Sequence, residues 1–266
     1  VAGRAVACHH PLTATATADT VTDGTKSVFR ACFRDSYQGL VAAKIAVDLG
    51  IKKVAVLYAS GDAYSSGLYE AFKAAAPELG LEIVATESSS STSDTDYSTQ
   101  LTNIVASGAE LIFAPYYYDS IGPYIVPQAR AAGFTGAFVG ADGWDGTQNT
   151  MVEDKSLYDN CYFTNHYAPD DPSEVVQGFV KSYTDTFGAA SLTALAALGY
   201  DSVYMLAQAI DKAGSDDTAA IIAAMKGMSF SGVTGSFTLD ETGTPIKQCA
   251  VLQYKDGAAS FYKYIG

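Results

Sequence analysis

Short apolar runs alternate with helical stretches over residues 28–165 of the chain. The apolar runs have the composition of buried strands, and three of the helical stretches end at a glycine, namely Gly50, Gly80 and Gly133. The predicted strands are 28–33, 53–58, 81–86, 110–114, 137–140 and 161–165. The predicted helices are 40–49, 67–79, 97–106 and 120–132, with 34–39 as a linker. This alternation predicts βαβ units, which build an α/β fold with a parallel sheet covered by helices on both faces.

The pattern changes after residue 165. Prolines at 169 and 172 interrupt the chain, and three helical stretches follow without strands between them, at 173–187, 193–213 and 217–226. The remaining apolar runs, 230–239, 247–255 and 259–265, read as strands. The last two are predicted to form a hairpin through the turn Asp256-Gly257. The departure from the alternating pattern indicates a second structural region.

Charge and hydropathy narrow the classes of function. The chain has 266 residues, 48% of them apolar, which is enough for a sizeable core. It carries 29 acidic and 16 basic side chains and a formal charge of -13. This charge repels phosphate backbones, so nucleic acid is not an expected partner. No apolar run has the roughly 18 residues of a membrane helix, and the first residues lack a signal-peptide pattern, which a mature chain would have lost.

The cysteines and histidines do not form a recognisable reactive or metal site. Cys8, Cys32, Cys161 and Cys249 are widely spaced and contain no C-x-x-C pair or zinc spacing. The cluster Cys8-His9-His10 suggests a metal site or a nucleophile, but nothing nearby supplies the further ligands or the orienting partner. We therefore expect structural or disulfide roles, no metal and no cofactor. The abundance of Tyr, Ser and Thr with little Lys fits an extracellular protein.

Three predicted loops follow strands of the alternating region and carry aromatic and acidic residues. They are 59–67 with Tyr64, 115–119 with three consecutive tyrosines, and 141–144 with Asp142 and the only tryptophan, Trp144. Because ligands bind beyond the carboxyl ends of parallel strands, these loops are expected on one edge. Aromatic walls with a few polar groups are typical of a small-molecule pocket. Taken singly, each loop also reads as a surface turn, with Asp142 exposed and Trp144 partly packed.

Several motifs, in order, resemble the type I periplasmic binding proteins. They are Asp35-Ser36-Tyr37-Gln38-Gly39, Val54-Ala55-Val56-Leu57-Tyr58 followed by 62–67, Gln128-Ala129-Arg130-Ala131-Ala132-Gly133, and Phe138-Val139-Gly140-Ala141-Asp142-Gly143. More narrowly, the chain from about residue 13 onward resembles the substrate-binding proteins of ABC importers for branched-chain and related amino acids. The resemblance implies two α/β lobes that close on a ligand about a hinge. Lobe 1 would comprise 1–36 plus 166–248, and lobe 2 would comprise 37–165 plus 249–266.

The resemblance also implies roles for individual residues. Asp142 would pair with the ligand ammonium, where the family usually has a glutamate. The resemblance assigns no role to Trp144, which from its place beside Asp142 either caps the ligand or packs beside it. Thr15 would supply a carbonyl and Thr17 a hydroxyl to the amino acid. The aromatic contacts would be Tyr64, Tyr118 (less favoured, Tyr116) and Tyr200.

Family membership would also imply an opening segment that this sequence does not contain. The family's first strands, about 90 residues by the usual size of three βα units, would carry a serine loop that binds the ligand carboxylate. Either this chain is a fragment, or another chain supplies the strands, or the N-terminus is rebuilt.

The function implied is that of a non-catalytic solute-binding protein of an ABC importer. It would bind an amino acid, deliver it to a membrane permease, and reside in the periplasm or outside the cell, with or without a lipid anchor. One alternative is a ligand-binding sensory domain of the same fold, because a fold does not fix its output. The other is an enzyme on a doubly wound α/β fold. Against the enzyme, the chain has no P-loop, no G-x-G-x-x-G and no G-x-S-x-G.

Overall fold

The computed structural model describes residues 12–266, and the chain divides into two compact units. Unit 1 comprises Val1–Arg34, of which 12–34 are described, and Asp171–Gln248. Unit 2 comprises Asp35–Asp170 and Cys249–Gly266. The boundaries predicted from the sequence were 36/37, 165/166 and 248/249. Cys8, His9 and His10 lie outside the described residues.

The strands and helices fall into the two units as follows. In unit 1, the strands are β1 (Leu12–Thr13), β2 (Phe29–Arg30), β8 (Ser229–Gly232), β9 (Gly235–Leu239) and β10 (Pro245–Ile246). In unit 2, they are β3 (Lys53–Ala59), β4 (Glu82–Ser89), β5 (Leu111–Phe113), β6 (Ala137–Gly140), β7 (Cys161–Asn165), β11 (Cys249–Lys255) and β12 (Ala258–Ile265). The helices of unit 2 are α1 (Asp35–Asp48), α2 (Ala63–Glu78), α3 (Ser98–Ala106) and α4, which runs through Tyr118–Ser120, the π-helical Ile121–Ile125 and Val126–Ala131. Those of unit 1 are α5 (Glu174–Phe187), α6 (Ala194–Ala213) and α7 (Thr218–Met225).

Unit 2 is built on a seven-stranded sheet with the order β12-β11-β7-β6-β5-β3-β4. The pairs β3 with β4, β3 with β5, β5 with β6, and β6 with β7 are all parallel, which confirms the predicted α/β fold. The strand β11 is antiparallel to β7 and forms the predicted hairpin with β12. The hairpin turn places Asp256 at φ 52° and Gly257 at φ 80°, the left-handed conformation that a tight two-residue turn requires.

Helix α1 begins at Asp35, five residues earlier than predicted, so the expected linker forms its first turns. Gly39 was read as part of a linker, but it lies within the helix and serves helix packing. A Cβ at Gly39 would lie 2.6 Å from the Cβ of Ala71 on α2, so glycine allows the two helices to approach closely. Helix α2 likewise begins at Ala63, where the Asp62 carboxylate accepts a hydrogen bond from Ser65 N at 2.8 Å.

Unit 1 also differs from the sequence prediction in the strands that follow its helices. Residues 230–239 were predicted as one strand, but they form the antiparallel pair β8 and β9. The turn is stabilised by Asp201 on α6, whose carboxylate accepts bonds from Val233 N at 2.9 Å and Thr234 N at 2.7 Å. Because the residue that fixes the turn lies more than 30 positions away, local periodicity could not reveal it.

Each unit has its own apolar core. The core of unit 2 lies between its sheet and helices and includes Leu57, Phe138, Trp144 and Phe163. The core of unit 1 includes Phe29, Met205, Ile221 and Phe237. Within residues 12–266 no helix combines the length and hydropathy needed to cross a membrane.

Candidate functional site

The carboxyl ends of four parallel strands lie side by side in unit 2, and the candidate site is there. From β3 the chain first adds β4 on one side and then crosses back to add β5 on the other side. The direction in which strands are added therefore reverses between β3 and β5. Ligands bind at such switch points in open α/β sheets. The residues that follow these strands are Tyr64 after β3, Tyr117 after β5, Asp142 after β6 and His166 after β7.

The Asp142 carboxylate is the centre of a buried hydrogen-bond network. Its side chain is only 5% exposed. The oxygen Oδ1 accepts bonds from Gln38 Nε2 at 3.1 Å and from the Tyr64 hydroxyl at 2.8 Å. The oxygen Oδ2 lies 3.0 Å from His166 Nε2. Burial acts to raise the pKa of Asp142, but His166, Tyr64 and Gln38 outweigh it and lower the pKa below its ordinary value. The carboxylate is therefore ionised at neutral pH.

Gln38 fixes both the side chain and the backbone of Asp142. Besides donating to the carboxylate, its amide oxygen accepts bonds from Asp142 N at 3.1 Å and from the Thr164 hydroxyl at 2.7 Å. Gln38 is fully buried on α1. Since both ends of its amide are engaged, the turn that carries Asp142 is held in one orientation.

Two tyrosine rings form an aromatic wall beside the carboxylate. Tyr64 and Tyr117 stack with their centroids 4.9 Å apart and an interplanar angle of 20°. The Tyr64 hydroxyl also accepts a bond from Gly143 N at 2.8 Å. A Cβ at Gly143 would lie 2.8 Å from that hydroxyl and 2.9 Å from Tyr116 O, so a larger residue does not fit there.

Burial and nearby carboxylates raise the pKa values of both tyrosines of the site. Burial raises the pKa of Tyr64 well above its ordinary value, and the Asp142 charge raises it further. Burial also raises the pKa of Tyr117, with Asp62, Asp142 and Asp35 adding to the effect. Both hydroxyls therefore stay protonated, and several carboxylates act on the same small region. Such a region favours a cationic group.

The aromatic residues predicted as ligand contacts differ in how deeply they are buried. Tyr116 is fully buried, and its hydroxyl bonds Ser89 Oγ at 2.8 Å. Tyr118 is 44% exposed at the start of α4, whereas Tyr117 is the member of the run that lies against Tyr64. Trp144 is fully buried, with its indole N–H donating to Ala114 O at 2.8 Å. Trp144 therefore packs beneath the Asp142 turn.

Of the predicted site residues of unit 1, Thr15 and Thr17 follow β1 and Tyr200 lies on α6. Thr15 is exposed and Thr17 is buried. The loop that carries them is held by the buried guanidinium of Arg30, which donates to the carbonyls of Ala16 at 3.1 Å, Thr17 at 2.8 Å and Ala18 at 3.0 Å. Tyr200 is half exposed on α6 and lines a hollow of about 590 Å³ with Tyr204.

Sequence reasoning missed Gln38, Tyr117, His166 and Arg30. The sequence did contain a signal for His166. Strand β6 leads to Asp142, and His166 directly follows β7, the next strand in the chain. Strands β6 and β7 are paired with Gly140 opposite Phe163, which brings the residues beyond both ends together. No comparable signal existed for Gln38, which lies 104 residues from Asp142 in the sequence.

In the part of the chain that the structure describes, metal-ligating side chains do not cluster and the cysteines are buried. Residues 12–266 contain no group of three metal-ligating side chains. Cys161 is a buried thiol whose pKa burial raises to about 12, so it is not a nucleophile at neutral pH. Cys32 and Cys249 are also buried.

Comparison with known proteins shows consistent similarity to one family. The sequence profile of a family described as periplasmic binding protein matches residues 2–259. A Leu/Ile/Val-binding protein homologue of Brucella melitensis is 30% identical over 238 residues, which are 87% of this chain and 62% of that protein. The chain thus spans about three fifths of the length of such curated relatives.

Solved structures of binding proteins are similar to this chain as well. A leucine-binding protein of Thermotoga maritima is 34% identical with a TM-score of 0.89, over 100% of this chain and 75% of that one. The branched-chain amino acid transporter substrate-binding protein of Streptococcus pneumoniae, solved with isoleucine, is 27% identical with a TM-score of 0.83, over 98% and 75% of the two chains.

Proposed function

Because the chain belongs to the periplasmic binding protein family, we propose that it binds an α-amino acid of the branched-chain or a related type for an ABC importer. The observation that carries this proposal is the ionised, buried carboxylate of Asp142 beside the stacked rings of Tyr64 and Tyr117. A negative site with an aromatic wall suits a ligand that has both an ammonium group and an apolar side chain.

The hydrogen bonds of Asp142 leave room for the ligand ammonium. A carboxylate has about four acceptor positions. Three are used in this network, two on Oδ1 and one on Oδ2. The fourth position, on Oδ2, is proposed to accept the ammonium. Because Gln38 bonds both Oδ1 and the backbone N–H of Asp142, the whole carboxylate, including Oδ2, is held in place. The carboxylate therefore does not have to be ordered when the ligand arrives.

Other ligand contacts are proposed from family membership and from their placement. In unit 2 they are Tyr64, Tyr117 and Tyr118, and in unit 1 they are Thr15, Thr17 and Tyr200. Trp144 is assigned to supporting the Asp142 turn rather than to the ligand, because its ring is fully buried.

We further propose that the protein binds its ligand without converting it chemically and delivers it to a membrane permease. The names of the relatives describe binding proteins and a transporter component, which supports this role. The place of action would be outside the cytoplasm, as in the periplasm or at the cell surface, with or without a lipid anchor.

Calorimetric titration with L-leucine, L-isoleucine and L-valine tests the proposal. The substitution Asp142→Asn keeps the size of the side chain but removes its charge. We expect it to weaken binding by about 2–5 kcal/mol, which is roughly 30-fold or more. The matched control is Glu153→Gln, which removes one exposed carboxylate of the same unit. Equal amino acid affinity in wild type and Asp142→Asn would refute the site assignment.

A further inference from the structure

We propose that His166 couples amino acid binding to the release of one proton, because His166 and the ligand ammonium share one oxygen of Asp142. This inference rests on the proposed function and extends it. It makes His166 a positioning residue that sets the pH dependence of binding, and it predicts stronger binding of ammonium-bearing ligands as the pH rises.

The geometry places the histidine and the proposed ammonium position on the same atom. His166 Nε2 lies 3.0 Å from Asp142 Oδ2, and both side chains are buried, at 0% and 5% exposure. The other oxygen already accepts two bonds, from Gln38 and Tyr64. An ammonium that approaches the carboxylate therefore binds at Oδ2, next to the imidazole.

The charge count then differs between the two states of the imidazole. If His166 is protonated, the His166–Asp142 pair is neutral before the ligand binds, and the ammonium adds a second positive charge to a carboxylate that already balances one. If His166 is neutral, its Nε2–H still donates to Oδ2, and the site keeps one negative charge for the ammonium. Two cations on one buried oxygen repel each other strongly, so the ligand favours neutral His166. The proton passes to solvent.

The side chains around His166 keep their protonation states in the neutral range, so none of them releases this proton. Asp142 has a lowered pKa and is ionised throughout the neutral range. Tyr64 on α2 and Tyr117 after β5 have raised pKa values and stay protonated. Gln38 on α1 does not titrate. A histidine ordinarily changes charge between about pH 5 and 8.

Further charged and titratable groups line the elements packed around the pair. Asp35 at the start of α1 acts on Tyr64 and Tyr117, and Asp62 before α2 acts on Tyr117. Asp145 accepts a bond from the Asn165 amide at 3.1 Å, next to His166 in the chain. The buried thiol of Cys249 on β11 lies 3.6 Å from Asn165 O. The acidic groups add negative potential, which favours a cation in the site in either state.

The expected signature is a loss of affinity on acidification. Release of one proton changes the dissociation constant up to about tenfold per pH unit while the histidine is protonated in the free protein. We expect L-leucine to bind about three- to tenfold more weakly at pH 5.5 than at pH 6.5. Leucine itself keeps its zwitterionic form over this range.

The experiment is calorimetry of L-leucine binding at pH 6 in buffers of different ionisation enthalpy, which counts the protons released. Wild type is expected to release between about one half and one proton per ligand. His166→Gln, which retains a neutral amide donor, is expected to release none and to lose the pH dependence. Glu153→Gln, which changes an exposed titratable group of the same unit, is the matched control and should behave as wild type. The carboxylate 4-methylpentanoate, which lacks the ammonium, should release no proton.

The outcomes separate the two proposals. Leucine binding without proton release in wild type would overturn this inference and leave the proposed function standing. Proton release that persists in His166→Gln would overturn it as well. If His166→Gln does not fold, the proton NMR titration of the His166 ring in wild type decides, because leucine must lower its apparent pKa. Absence of amino acid binding at every pH would overturn the proposed function and this inference together.

Discussion

The substitution Tyr64→Phe isolates the contribution of one hydroxyl to the Asp142 network. The hydroxyl donates to Asp142 Oδ1 at 2.8 Å and accepts from Gly143 N at 2.8 Å. The ring, and with it the stack on Tyr117, is retained in phenylalanine. A hydrogen bond to a buried charged group contributes about 1.5–3 kcal/mol. The Gly143 N–H is half-buried, so water replaces most of its bond. We therefore expect the free energy of unfolding of unit 2 to fall by about 2–3 kcal/mol.

Urea unfolding followed by tryptophan fluorescence measures this change directly. Trp144 is the only tryptophan and is fully buried in the core of unit 2, so its emission reports the unfolding of that unit. With a slope of about 2 kcal/mol per molar urea, the midpoint should fall by roughly 1 M.

A matched control is Tyr58→Phe on β3, since no described residue hydrogen-bonds the Tyr58 hydroxyl. The change there should stay within about 0.5 kcal/mol. If Tyr64→Phe also costs less than about 0.5 kcal/mol, the hydroxyl does not support the carboxylate and the account of the network is incorrect. Leucine affinity measured in the same variant shows whether the loosened carboxylate also binds the ammonium less well.

Further predictions concern the other buried polar groups. Arg30→Lys should cost about 3 kcal/mol or more, because one ammonium cannot reach all the carbonyls that the guanidinium serves, and a melting temperature within about 2 °C of wild type would contradict this. Asp201→Asn should cost about 1–3 kcal/mol, since an amide donor then faces Thr234 N–H, and unchanged chemical unfolding would contradict it. The lowered pKa of Asp142 gives stability that is fully present above about pH 4 and is lost as the pH falls through the lower folded-state pKa. The stability difference between wild type and Asp142→Asn should therefore be larger at pH 6 than at pH 3, and a difference that grows on acidification would contradict the sign.

Much of unit 2 was predictable because its signals are local. The strands β6 and β7 were predicted with their observed bounds, since a short buried strand between turn residues stands out by its apolar composition alone. Asp142 could be placed at the edge of the sheet for the same reason. The carboxyl ends of parallel strands meet wherever the strands are neighbours, so three loops could be expected on one edge before the strand order was known.

The start of α1 and the turn between β8 and β9 depended on contacts that are distant in the sequence. From the sequence alone, Gly39 looks like the boundary of a helix. In the structure its lack of a Cβ permits the close approach of α1 to α2. The β8–β9 turn exists because Asp201 on a separate helix satisfies its backbone N–H groups. In both cases a local preference was overridden by a tertiary interaction.

The sequence by itself determined the α/β alternation, the position of a carboxylate at the edge of the sheet and the aromatic character of the neighbouring loops. Only the tertiary structure decided which side chains meet that carboxylate. Gln38, Tyr64 and His166 reach it from separate elements, and Tyr117 rather than Tyr118 completes the aromatic wall. Local periodicity records which face of an element is buried, whereas the partners of a buried charge depend on how elements far apart in the chain are paired.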